Sequence, residues 1–85
     1  MFHVDVSKKA GKSALDMPAH YQTRLEELIL TLENEPVPAK LYDIKKIDTD
    51  EYRIRIGSIR IIYDVYWDKE LIEVIKIEWR SKAYK

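Results

Sequence analysis

Apolar and polar residues alternate at the start of the chain, where Phe2, Val4 and Val6 are interleaved with His3 and Asp5. A period of two predicts a short strand. Ser7 ends the alternation and offers a hydroxyl that can cap a following helix. From Lys8 to Met17 the residues Ala10, Ala14, Leu15 and Met17 suit a short helix, although Gly11 inside it costs roughly 1 kcal/mol relative to alanine. Pro18 fits the first turn of a second helix, in which Tyr21, Leu25, Leu28, Ile29 and Leu32 recur on one face as far as about Asn34. Pro36 and Pro38 in NEPVPAK forbid its continuation.

Beyond the prolines the period returns to near two. LYDIKKID, EYRIRI, IRIIYDVY and LIEVIKIEW are rich in Ile, Val and Tyr and predict strands in series. Gly57-Ser58 is the pair expected for a two-residue hairpin turn with glycine at its first central position. The expected architecture is α+β: an N-terminal strand, two helices, then a three- or four-stranded antiparallel meander with the helices on one face.

The hairpin assigns faces. With Gly57-Ser58 as the whole turn, Ile56 faces Ile59, Arg55 faces Arg60, Ile54 faces Ile61, Arg53 faces Ile62 and Tyr52 faces Tyr63. Tyr52, Ile54, Ile56, Ile59, Ile61, Tyr63 and Val65 then form the face for the helices, and Arg53, Arg55 and Arg60 share the other. Opposed like charges destabilise a ladder, so an anion should compensate Arg55 and Arg60; Glu51, Asp64 and Glu78 are internal candidates. A three-residue loop at Asp68-Lys69-Glu70 would set Ile75, Ile77 and Trp79 beside Tyr63, Ile61 and Ile59. An even loop would set Asp64 against Glu73 and send Lys76 and Glu78 into the core. The odd loop is therefore expected, with Val74, Lys76 and Glu78 on the arginine face and Arg80, Lys82 and Tyr84 continuing beyond.

Composition narrows the function. Eighty-five residues exclude a barrel enzyme or a doubly wound nucleotide-binding fold, and 46% hydrophobic content supports a single folded domain. The absence of cysteine excludes disulfides, thiolate zinc sites and a cysteine nucleophile, and suits a reducing cytoplasm. There is no apolar run of the ~18 residues that a membrane span needs, and MFHVDVSKK lacks a signal-peptide centre. Fifteen basic residues balance fifteen acidic ones, so any affinity for polyanions must be local, and RIRIGSIR at Arg53 to Arg60 is the local exception. Arginine presents a planar fork that matches phosphate oxygens, so the cluster suits phosphate recognition and stabilisation of a pentacoordinate transition state without a metal. His3 and His20 have no neighbours at metal-ligand spacing and are read as structural or surface residues; no cofactor is expected.

The segment YRIRIGSIRIIYDVYWDKELIEVIKIEWRSKAY resembles the second half of RelE-family toxins of type II toxin–antitoxin modules. LENEPVPAKLYDIKKID and the ending RSKAYK resemble the archaeal branch, and the likeness spans nearly the whole chain. What the resemblance implies is a ribosome-dependent endoribonuclease that cuts mRNA in the decoding site and is held inactive by a cognate antitoxin. The ribose 2′-hydroxyl would attack the adjacent phosphate, giving a cyclic phosphate and a free 5′-hydroxyl. Arg53, Arg55, Arg60, Arg80 and Tyr84 occupy the family's basic and aromatic positions and are the candidate catalytic residues; Lys45, Lys46 and Lys82 are candidate RNA contacts. The inner basic position is often lysine in the family. Here it is Arg55, a poor proton acceptor, which leaves the general base open among Tyr84, Glu78 and Lys82.

Two other functions fit the same resemblance. ParE-like toxins poison DNA gyrase by contact, and a degenerate homologue would only bind an antitoxin. The presence together of Arg60, Arg80 and Tyr84 favours the nuclease. The antitoxin is expected to bring acidic residues to the arginines and an apolar helix to Ile62 and Val74.

Overall fold

A computed structural model describes residues 1–79 of the chain. The order of elements follows the sequence pattern: β1 (His3–Val6), α1 (Lys8–Leu15), α2 (Ala19–Asn34), β2 (Asp43–Asp48), β3 (Glu51–Ile56), β4 (Ile59–Tyr66), a short 3₁₀ turn (Trp67–Lys69) and β5 (Leu71–Trp79). Five strands form one sheet in the order β1-β5-β4-β3-β2. Strands β2 to β5 are the antiparallel meander, with four members, and β1 adds to it as a parallel edge strand beside β5. The sheet is therefore mixed rather than purely antiparallel. A parallel neighbour needs a long crossover, and the two helices are part of it.

The core lies between the helices and one sheet face. Ala10, Met17, Leu25, Leu28 and Leu32 meet Tyr52, Ile54, Ile56, Ile59, Ile61, Tyr63, Val65, Ile72, Val74 and Ile77. The hairpin has the register that alternation demands, with Arg55 opposite Arg60 and Ile54 opposite Ile61. Tyr63, fully buried, donates its hydroxyl to the Pro36 carbonyl at 2.7 Å, which ties the proline segment after α2 to the middle of the sheet. Burial pushes the pKa of that hydroxyl up, with a smaller contribution from Tyr52.

The β4–β5 pairing departs from the expectation in an informative way. Tyr66 pairs with Leu71, so Trp67 to Glu70 form the loop, an even count rather than the odd one expected. The near half of the ladder accordingly sets Asp64 against Glu73 and Val65 against Ile72. Between Ile62 and Tyr63 the register shifts: Tyr63 pairs with Val74, Ile62 with Lys76, and Ile75 is the extra residue of a bulge. That one residue restores the odd count, and Ile77 and Trp79 meet Ile61 and Ile59 as expected. Ile75 does not face Tyr63, and Val74 is buried at 2% exposure instead of standing on the arginine face. Val74 therefore cannot be the apolar contact for a partner helix.

Ser7 secures the bulge. Its N–H donates to the Val74 carbonyl at 2.9 Å, and its Oγ donates to the Ile75 carbonyl at 2.9 Å. The same Oγ accepts the Ala10 N–H at 3.1 Å, which caps α1 as the sequence suggests. One hydroxyl thus fixes the entry to α1 and the register of the last strand.

Candidate functional site

The sheet face turned away from the helices is organised in rows, because residues opposed across strands share a face. Nearest the hairpin turn, register pairing aligns Asp43, Arg55, Arg60 and Glu78. The next row is Lys45, Arg53, Ile62 and Lys76. Together the two rows hold five cations. Bulging at Ile75 is what delivers Lys76 and Glu78 to this face.

Arg55 and Arg60 stand directly opposite one another, and carboxylates at the ends of their row offset the repulsion. Arg60 Nη2 donates to Glu78 Oε1 at 3.0 Å, with both side chains about one-third exposed or less. Arg55 Nη1 lies 3.9 Å from Asp43 Oδ2. Of the internal counter-ions expected from sequence, Glu78 is used and Glu51 and Asp64 are not. Among the described residues Arg53 has no carboxylate partner; it lies between Lys45 and Ile62. The Nε atoms of Arg53, Arg55 and Arg60 are all covered and without a protein acceptor among the described residues. Covered donors without an acceptor are costly.

The turn beneath this row is closely packed against α2. Gly57 has φ 55°, which side-chain-bearing residues adopt at a cost, and a Cβ there would lie 2.6 Å from Tyr21 Oη. Tyr21, at the start of α2, accepts the Ser58 N–H at 2.9 Å and packs edge-on against Trp79 with ring centroids 5.3 Å apart. The Ser58 hydrogen bond lowers the pKa of the Tyr21 hydroxyl.

A third row, invisible in the composition, crosses the whole sheet. Asp48, Glu51, Asp64, Glu73 and Asp5 are aligned by successive register pairs, one from each strand. Burial first, then hydrogen bonding and repulsion from Glu51 and the charges of Asp48 and Asp50, push the Asp64 carboxyl up to about 6. The neutral total of fifteen basic and fifteen acidic residues thus conceals opposed bands of charge on the outer face. No group of three or more His, Asp or Glu side chains in a metal-holding arrangement occurs among the described residues.

Of the sequence candidates, Arg53, Arg55, Arg60 and Lys45 are brought together. Lys46 is not: its register partner is the core residue Tyr52, so it lies on the opposite face of the edge strand β2. Arg80, Lys82 and Tyr84 lie outside the described residues. His3 pairs with Asp5 at 2.7 Å and His20 rests on the Tyr21 ring, both at exposed positions away from the arginines. Lys76 is the site residue that sequence reasoning left out of its RNA contacts, although its placement on this face was signalled by strand parity.

Residues 4–84 match the family described as the ParE toxin of the type II toxin–antitoxin system parDE. A protein designated toxin RelE1 in Methanocaldococcus jannaschii is 41% identical over 99% of this chain and 96% of its own. The archaeal RelE–RelB complex of Pyrococcus horikoshii has a TM-score of 0.90 at 32% identity, covering 95% of this chain and 97% of that one. The RelB–RelE complex of Methanococcus jannaschii gives 0.79 at 27% identity over 94% of each. The chain belongs to the RelE/ParE family of type II toxins and resembles its archaeal RelE members.

Among the described residues no helix is long and apolar enough to cross a membrane.

Proposed function

We propose that this chain is a ribosome-dependent mRNA endoribonuclease of the cytoplasm, held inactive by a cognate antitoxin. The observation that carries the reading is the pair of adjacent rows that sets Arg55 beside Arg60 and backs them with Arg53, Lys45 and Lys76. A scissile phosphate seated on Arg55 and Arg60 would meet two planar donor forks already in place, and the charge that develops on its oxygens in the transition state would be stabilised without reorganisation. Flanking phosphates would meet Arg53, Lys45 and Lys76. Arg80 and Tyr84 join the proposal through the family resemblance, as a further phosphate donor and as the group that stacks on the reacting nucleotide; Lys82 joins as an RNA contact. The two archaeal structures described above are toxin–antitoxin complexes, which supports a protein inhibitor for this chain too.

The test is addition of the protein to a translating extract, with and without the product of an adjacent antitoxin gene, and mapping of mRNA ends by primer extension. Cleavage is expected only with ribosomes present and only without the antitoxin. Arg60→Ala should lower it by ~100-fold or more, as loss of one preorganised donor does. Intact mRNA under all conditions would refute the reading. The family description, which names ParE, supports a second reading as a gyrase-binding toxin, and inhibition of gyrase supercoiling with mRNA left intact would establish that one instead.

A further inference from the structure

A 2′-hydroxyl attack needs a proton acceptor, and the arginine at position 55 cannot serve. Resting on the nuclease reading above, we infer that Glu78 is the general base. Only two described carboxylates lie in the row of Arg55 and Arg60, namely Asp43 and Glu78. The acidic row is four residues further along β3 and β4, and five along the bulged β2 and β5, which puts it about 13 Å away with the cationic row between. Asp43 is on an edge strand, 60% exposed and 3.9 Å from its arginine. Glu78 is 32% exposed and hydrogen-bonded to Arg60 at 3.0 Å, so its carboxylate is held beside the position that the phosphate would take.

Space for the nucleotide adjoins it. A hollow of about 260 Å³ opens between α1 and the end of β5, bordered by Glu78, Lys76, Trp79, Lys9, Ser13 and Asp16. Arg60 spends one Nη2 donor on Glu78, and a guanidinium carries five N–H donors, so the same arginine can hold the carboxylate and a phosphate oxygen together.

The step balances as follows. Glu78 takes the proton from the ribose 2′-hydroxyl as the 2′-oxygen bonds to phosphorus. The bond from phosphorus to the 5′-oxygen breaks, its electron pair stays on that oxygen, and the oxygen takes a proton from water. The hydroxide so formed is neutralised by the proton on Glu78, which resets the carboxylate.

The experiment uses the full chain on ribosomes halted with a defined mRNA codon in the decoding site. Glu78→Gln keeps a hydrogen-bond acceptor for Arg60 and should cut at least 100-fold more slowly. Its affinity for the same complex carrying a 2′-deoxynucleotide at the cleavage position should stay within about threefold of wild type, as general-base removal leaves ground-state binding alone. Glu78→Asp, which retains the carboxylate one methylene further back, should keep intermediate activity, and it carries the test if the Gln variant fails to fold. Cleavage by Glu78→Gln at or above the wild-type rate would overturn the inference and make Glu78 a mere counter-ion that competes with phosphate. Loss of activity in Arg60→Ala with none in Glu78→Gln leaves the nuclease reading standing and the base assignment refuted; a wild-type protein that cuts nothing refutes both.

Discussion

Replacing Ser7 by alanine removes two hydrogen bonds that lie far apart in sequence and meet at one oxygen. The first is the cap of α1, in which Oγ accepts the Ala10 N–H at 3.1 Å; loss of such caps costs about 1 kcal/mol. The second is the bond from Oγ to the Ile75 carbonyl at 2.9 Å in a partly buried setting, worth about 1 kcal/mol net. Ser7→Ala should therefore destabilise by about 2 kcal/mol. With a urea slope near ~1 kcal/mol/M for so small a chain, the unfolding midpoint should fall by about 2 M at unchanged slope. Two companions separate the contributions. Ser7→Gly loses the bond to the bulge but only a few tenths of a kcal/mol from the cap, so it should cost about 1 kcal/mol. Ser7→Thr keeps both bonds and should lie near wild type. Amide exchange at Lys76 to Glu78 should quicken in the alanine and glycine variants, since the bulge is what holds that half of β5 in register. An alanine variant within about 0.5 kcal/mol of wild type, or glycine and threonine variants of equal stability, would refute the role given to this hydroxyl.

Two further outcomes test the outer rows and the turn. The Asp64 carboxyl is raised from its ordinary 3.8 to about 6, so the folded state binds more protons than the unfolded one between those values, and its contribution to stability is best at low pH and declines as pH rises through 6. Asp64→Asn should be more stable than wild type at pH 7.5 by about 1 kcal/mol after solvent screening, with the gap closing by pH 4; urea midpoints across that range decide, and a pH-independent gap would refute the origin in ionisation. Gly57→Ala should cost about 1–3 kcal/mol in thermal unfolding, from the left-handed φ of 55° and a Cβ only 2.6 Å from Tyr21 Oη. The cost should shrink in a Tyr21→Phe background, and equal costs in both backgrounds would remove the contact as a cause.

How far the sequence specified this molecule differs from element to element. The β3–β4 register was legible because Gly57-Ser58 sets the turn and alternation leaves only one way to bury the isoleucines. β5 was half legible. Its parity depends on a loop and a bulge together, and Val74 and Ile75 are both apolar, so nothing in their chemistry marks which one is extra. The bulge's clamp, Ser7, sits 68 residues away. The parallel pairing of β1 with β5 left no local trace for the same reason. Arg53, Arg55 and Arg60 could be placed on one face from alternation alone. The acidic row could not, since its five members come from five strands and align only once the sheet is assembled.

The neighbours β1 and β5 are also the first and last strands to be made. At ~5–20 residues per second, the stretch between them takes roughly 3–13 s to synthesise. Through that interval Phe2, Val4 and Val6 have no strand to lie against, and Ser7 has no Ile75 carbonyl to hold. The helices can form early from local contacts, whereas the middle of the sheet waits for its final member, because β5 stands between β1 and β4. Until β5 has left the exit tunnel, Arg60 has no Glu78 beside it and Lys76 has not joined its row, so the cationic face assembles only after the middle strands and the helices have been made.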